Sequence, residues 1–239
     1  MKFIKINGAR RSGNNYVEWL MNHNFKNVHV FFLGNVTGWR HGLPPTSVDW
    51  SGGDWDEPGW LANKSHMKRL FSSIGGLQYE IDNAFADNEV RYVFCVKNPY
   101  AYYHSTSKIW GHPKGHPKDT IAKEYVDWWN SVNRAYIDFA RERPTRCYVV
   151  FNEKLIVDPE TEVNNIATRL DLKRTDTFVN QPDVVMVNGP ISKGNKFNAN
   201  FYINREYLND YSTKTINEIN SYIDMGVMEN LGYEIVQPR

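Results

Sequence analysis

Only two cysteines occur among the 239 residues, Cys95 in "YVFCV" and Cys147 in "RCYVVF". A scaffold stapled by several disulfides is therefore excluded. Both lie in strand-like runs, where free buried thiols of a reducing compartment are the expectation and a disulfide between neighbouring strands is unneeded. Excess charge is lacking too. A formal net charge of +1 gives no global attraction for nucleic acid or an acidic membrane surface, so any anion binding has to come from local clusters. No stretch approaches the roughly 18 consecutive apolar residues of a membrane span. The apolar part of the opening "MKFIKINGARR" is too short for the central region of a signal peptide. A soluble, cytoplasmic protein with no membrane and no nucleic-acid partner is expected. Low-complexity tracts, internal repeats and clean linkers are likewise missing, which argues for one domain over residues 1–239.

Apolar residues make up 41% of the chain, enough for a sizeable core, and aromatic residues 14%. Phe3 to Ile6, Val90 to Val96 and Cys147 to Phe151 read as buried strands, with 28–34 as a fourth candidate. Helical patterns fill the intervals: Asn14 to Asn22, Leu61 to Ala84, Tyr100 to Trp110, Thr120 to Arg141 and Glu160 to Leu170, the last with Pro159 at a first helical position. The C-terminal stretch from "YLNDYS" onward returns to helical periodicity. Strands that alternate with helices and are apolar on both faces predict an α/β fold around a parallel sheet. Residues 34–60 and 171–203 fit no regular element. The first of these carries Trp39, Trp50, Trp55 and Trp60, which argues for a functional loop rather than disorder.

The chemistry concentrates first in "NGARRSGNNY". A glycine turn between a strand and a helix brings backbone N–H groups to an anion, and the helix dipole favours negative charge there. Arg10 and Arg11 add fixed charge, and a guanidinium can fork onto two oxygens. The spacing from Gly8 to Gly13 fits a phosphate loop. A nucleotide-hydrolysing loop, however, continues with a lysine for the terminal phosphates and a hydroxyl for Mg²⁺. Asn14 and Asn15 stand at those places. Their amides can donate to phosphate oxygens but replace neither the metal ligand nor the cation, so the loop suits a nucleotide that reacts without a metal. A sulfuryl group carries less charge than a phosphoryl group and needs Mg²⁺ less. A second basic element follows at a strand's carboxyl end. Lys97 precedes Asn98-Pro99 and a helix, and Ser105 comes eight residues after Lys97. A cation from the strand end and a hydroxyl from the helix can converge on a second phosphate.

Together these segments resemble the sulfotransferases that use 3′-phosphoadenosine 5′-phosphosulfate (PAPS). The family's 5′-phosphosulfate loop runs basic residue, Ser, Gly, Thr, Thr or Asn, Trp or Tyr after the first strand; Arg10-Arg11-Ser12-Gly13-Asn14-Asn15-Tyr16 stands in its place. Its 3′-phosphate element, a basic residue followed by Asn or Asp and Pro with a Ser eight residues on, is matched by Lys97-Asn98-Pro99 and Ser105. "VVFNEKLIVDPETEVNNIATRLDL" is similar to the family's strand, Tyr-Glu-Asp-Leu turn and helix, with Asn152 where many relatives carry an adenine-contacting Tyr. Lys193 and Gly194 in "ISKGNK" fall where the family has a late basic-glycine element. The resemblance covers roughly residues 2–22 and 90–172. It implies a three-layer α/β domain with a mostly parallel central sheet flanked by helices, PAPS as donor and 3′-phosphoadenosine 5′-phosphate (PAP) as product, with no metal. It departs at Asn14, for the usual threonine, and at Lys97, for the usual arginine.

Sulfuryl transfer to a hydroxyl needs a base and a cation near the bridging oxygen. The resemblance gives Arg11 the second part and places the base after the second strand. His41 in "GWRHGLPP" occupies that place, with Glu57 and Asp54 as the alternative carboxylates. His112 and His116 are four residues apart, but Pro113 and Pro117 exclude a regular helix there, which speaks against a metal pair. The four tryptophans point to a carbohydrate acceptor, a glycan or small molecule, while a phenol or a peptide tyrosine would suit the aromatics too. Two rival readings are a nucleotide or sugar kinase with a degenerate phosphate loop and a non-catalytic glycan-binding protein. The absent Lys and Ser/Thr argue against the first, and the joint presence of Arg11, Lys97 and Ser105 against the second.

Overall fold

Along Val90–Val96 the apolar side chains point alternately to opposite faces, and both faces are buried. Such a strand has to lie inside a sheet covered on both sides. A computed structural model of the chain, which describes residues 2–30, 90–110, 123–180 and 198–238, has this arrangement. Four strands form the main sheet: β1 (Lys2–Gly8), β3 (Val28–Val30), β4 (Val90–Val96) and β5 (Cys147–Phe151), in the order β3-β1-β4-β5. Every described pairing in it is parallel. The fold is α/β, with a parallel central sheet between two helical layers.

One layer consists of α1 (Asn14–Asn24) and, later in the chain, the helix Pro159–Leu170. Val17, Leu20 and Met21 of the first and Val163, Ile166 and Leu170 of the second pack on Ile4, Ile6, Val93, Cys95 and Val150. The opposite layer holds α2 (Pro99–Trp110) and α3 (Lys123–Glu142). In α3 the buried positions Tyr125, Val126, Trp129, Val132, Asn133, Tyr136 and Phe139 recur at the helical period. They meet Tyr92, Phe94 and Val96 on the second face of β4, where Phe94 stacks on Tyr136 at 4.6 Å between ring centroids. The short helix α4 (Asn152–Val157) leads from β5 into α5 (Pro159–Leu170). Pro159 opens α5 as expected, and Asp158 caps it by accepting from the Thr161 amide at 3.0 Å.

The described parts of 171–203, residues 171–180 and 198–203, contain regular structure where none was expected. Lys173–Arg174 forms β6, antiparallel to β2 (Phe25–Lys26), and Ala199–Ile203 forms α6, capped by Asn198 through the Phe201 amide at 3.2 Å. Each is too short to impose a period on the sequence; one exists through pairing with a distant segment and the other through its cap. A 3₁₀ turn (Glu206–Asp210), α7 (Thr213–Tyr222) and α8 (Met225–Leu231) complete the second layer. Of the expected strand over 28–34, the described part is Val28–Val30. The expected helix Leu61 to Ala84 and the Trp-rich loop lie outside the described residues. Cys95 and Cys147 are buried and form no disulfide, and burial pushes the Cys147 thiol up to about 12. No helix among the described residues is long and apolar enough to cross a membrane.

Candidate anion-binding site

β1 is flanked by β3 on one side and β4 on the other, so the chain changes direction across the sheet at β1. Parallel α/β sheets bind ligands at the carboxyl ends of strands beside such a point. Gly8, the last residue of β1, is in register with Cys95, and Lys97 follows directly after β4. The turn 9–13 and Lys97 thus leave the sheet side by side.

The turn is tightly specified. A Cβ on Gly8 would come within 2.1 Å of Asn14 Oδ1 and 2.7 Å of the Cys95 carbonyl oxygen, so only glycine lets β1 end against β4 here. Asn14 Nδ2 donates to the Gly8 carbonyl at 2.8 Å and, more weakly, to that of Ala9 at 3.4 Å. The side-chain donor expected to face a phosphate at Asn14 is therefore committed inside the fold, where it ties the helix start to the strand end. The Ser12 amide closes the turn on the Ala9 carbonyl at 3.2 Å. Arg11 takes a positive φ of 66°, uncommon for a large side chain, and its buried Nε has no hydrogen-bond partner among the described residues. Gly13 follows at φ 90° as the N-cap of α1, and no side chain caps that end. Ser12 and Asn14 are buried, and Arg10, Arg11, Asn15 and Tyr16 are half-buried. The Tyr16 hydroxyl donates to Asn180 Oδ1 at 2.6 Å, and burial raises its pKa.

Lys97 is the central charge of the site. It is only 4% exposed, and its Nζ donates to Ser105 Oγ at 2.8 Å and lies 3.4 Å from the Arg11 carbonyl oxygen. The two residues expected to converge are in direct contact, and they adjoin the glycine turn. Burial drives the Lys97 ammonium down to about 7; the Arg11 charge pushes the same way and Glu153 opposes both. Trp129 Nε1 donates to the Lys97 carbonyl at 2.8 Å. Glu153 accepts from the Asn98 amide at 2.8 Å and from the Tyr233 hydroxyl at 2.9 Å. The backbone around the cation is thus held at two successive residues, by Trp129 and by Glu153, with Tyr233 bracing the Glu153 carboxylate.

No family model matches the chain, and no curated protein matches it either.

Chemically, the arrangement offers a helix N-terminus, a guanidinium and an ammonium–hydroxyl pair around one end of the sheet, a donor set suited to a molecule carrying two anionic groups. The orphaned Arg11 Nε is the feature that such a molecule fits. One residue with a part in the site, Tyr202, had no motif to announce it. Tyr202 lays its ring over Lys97 Nζ at 4.1 Å and its hydroxyl 3.2 Å from Ser105 Oγ. Asn152 is buried against the turn, its Nδ2 2.6 Å from where a Gly13 Cβ would be. Beside the pair, His104 is a buried packing residue whose Nε2 meets Asp210 at 2.8 Å, with its pKa lowered by burial. His41, Glu57, Asp54, His112, His116, Lys193 and Gly194 lie outside the described residues. Groups of three or more His, Cys, Asp or Glu able to hold a metal are absent among the described residues.

Proposed function

We propose that the chain is a sulfotransferase that moves a sulfuryl group from PAPS to a hydroxyl, with a carbohydrate as the preferred acceptor class. The observation that carries this reading is the contact of two separate anion-binding elements. The Arg10-to-Gly13 turn and the Lys97–Ser105 pair meet through Lys97 and the Arg11 backbone at 3.4 Å. In this reading the turn's amides and Arg11 hold the 5′-phosphosulfate, and Lys97 and Ser105 hold the 3′-phosphate. The turn lacks the lysine and hydroxyl that a metal-dependent phosphoryl transfer needs. The acceptor oxygen forms a bond to sulfur as the bond from sulfur to the bridging oxygen breaks. The acceptor's proton passes to a base, and PAP leaves. Arg11 stabilises the charge that grows on the bridging and sulfonate oxygens. His41 is the base in this reading, with Glu57 or Asp54 as the alternative, and Lys193 and Gly194 add to the nucleotide contacts.

Titration calorimetry with PAP, ATP-Mg²⁺ and oligosaccharides tests the reading. PAP is expected to bind in EDTA, with ATP-Mg²⁺ much weaker. Arg11→Ala should weaken PAP by about 2 kcal/mol, the scale of a charge-assisted contact. Binding of ATP only with Mg²⁺ would favour a kinase, and binding of oligosaccharide without PAP a glycan-binding protein.

A further inference from the structure

The proposed transfer makes no use of His104, which α2 carries and which is only 5% exposed. The rings of Phe201, Tyr207 and Tyr211 surround it at centroid distances of 5.2, 6.2 and 6.1 Å. They belong to α6, to the 3₁₀ turn and to the residue after the turn, so one imidazole fills the joint between α2 and the segment 199–211. Its Nε2 lies 2.8 Å from Asp210 Oδ2, and a ring nitrogen facing a carboxylate carries the proton. Nδ1 then holds a lone pair. That atom is buried and has no hydrogen-bond partner among the described residues. The neutral ring leaves one acceptor unsatisfied there. Protonation turns the same atom into the N–H donor of a cation with no acceptor to meet it, which costs more.

We infer that His104 is an acid-released latch: gain of a proton at Nδ1 loosens α6 and the 3₁₀ turn from α2. The consequence for the site lies on α6, whose Tyr202 ring covers Lys97 Nζ at 4.1 Å, so release uncovers the buried ammonium. The groups facing the imidazole set the pH window. Burial lowers its pKa from 6.5, Lys108 on α2 and Lys97 at the end of β4 push the same way, and Asp210 opposes them. Lys108 Nζ also lies 3.2 Å from the Asp210 carboxylate and takes a share of its charge. Contacts with His104 and Lys108 hold the Asp210 carboxyl below the usual carboxylate range, so it stays ionised. Burial keeps the Tyr207 and Tyr211 phenols protonated. His104 is thus the group that changes charge here below pH 6.5. Because its folded pKa is the lower one, the closed joint is fully stabilised above pH 6.5 and loses stability as pH falls below it. The Lys97 window, from about 7 to 10.5, lies above this one.

Hydrogen exchange on the full chain, corrected for intrinsic rates, tests the latch between about pH 7.5 and 5. The amides of Asn204, Arg205, Leu208 and Tyr211 are bonded within the segment and report its opening. In the parent their protection should fall by up to about tenfold per pH unit below 6.5, the response to one proton, while amides of β4 and α3 keep theirs. His104→Phe keeps a ring in the joint and has nothing to titrate, so its protection should stay flat. Protection that is independent of pH in the parent overturns the inference. So does a fall as steep in His104→Phe, or a loss shared equally by β4. Should His104→Phe not fold, ring NMR of the parent decides. A neutral His104 with its proton on Nε2 that titrates below 6.5 upholds the latch; a proton on Nδ1, or titration at or above 6.5, overturns it. These measurements need no nucleotide, so their outcome is independent of what the anion site binds.

Discussion

Lys97 carries the clearest consequence of a single residue's surroundings. Burial lowers its pKa from 10.5 to about 7, so between those values the unfolded chain holds a proton that the folded chain has released. Stability attributable to Lys97 therefore rises with pH from about 7 to 10.5 and is lost again as pH falls through that window. An anion on the Lys97–Ser105 pair reverses the balance. It stabilises the ammonium, raises its pKa, and makes binding take up a proton above pH 7. PAP affinity should accordingly fall as pH rises from about 7 towards 9, and calorimetry in two buffers of different ionisation enthalpy should register uptake approaching one proton. Lys97→Met should abolish that uptake and weaken binding at pH 7. Proton uptake that persists in Lys97→Met would assign the titration to another group.

At the level of elements, two glycines shape the turn for different reasons and should fail differently. A methyl at Gly8 meets the Cys95 carbonyl at 2.7 Å, and that backbone cannot withdraw without opening the β1–β4 pairing. Gly13→Ala places a side chain at φ 90° and against Asn152 Nδ2 at 2.6 Å, a flexible end that can move. Gly8→Ala should cost about 3 kcal/mol, the upper end of overpacking, and Gly13→Ala about 2 kcal/mol of backbone strain. Urea unfolding checks the order, and the reverse order would mean that β1 ends more loosely than the register implies. The strand, turn and helix that hold these glycines were legible in the sequence, because apolar runs and helix-start chemistry are local signals. The Lys97–Ser105 contact was legible as well, since the strand end and the following helix bring those residues together. The direction of the Asn14 amide was not: the same side chain can face a ligand or the carbonyls of Gly8 and Ala9, and only the turn's backbone decides. Nor was Tyr202, which lies 97 residues from Ser105 and meets it through the packing of α6. Pairing of β6 with β2 depends in the same way on a partner far along the chain.

Across the whole molecule, the site is supported both from α3, in the layer opposite α1, and from α4, whose Leu155 packs in the same cluster as α1. Trp129 of α3 holds the Lys97 carbonyl, and Glu153 of α4 holds the Asn98 amide. Tyr233, beyond α8, closes the set by donating to the other Glu153 oxygen at 2.9 Å. Burial and the Glu153 carboxylate keep the Tyr233 phenol protonated, so this bond persists over the working pH range. The C-terminal segment and the basic turn are therefore linked through one carboxylate, which gives Glu153 two separable effects. Its charge supports the Lys97 ammonium, and its oxygens fasten two parts of the chain. Glu153→Gln should remove the first effect, lowering the pKa of Lys97 further and moving the proton uptake on PAP binding to lower pH. Tyr233→Phe keeps the carboxylate charge and should leave that pH profile in place, while costing about 1.5–3 kcal/mol of stability for a lost bond to a charged acceptor. In a double-mutant cycle read by urea unfolding the two changes should couple by roughly 1 kcal/mol, because each removes part of one hydrogen-bonded unit. Strict additivity would show that Tyr233 and Glu153 act independently. A pH profile displaced equally by both variants would show that Glu153 acts on Lys97 through position and not through charge.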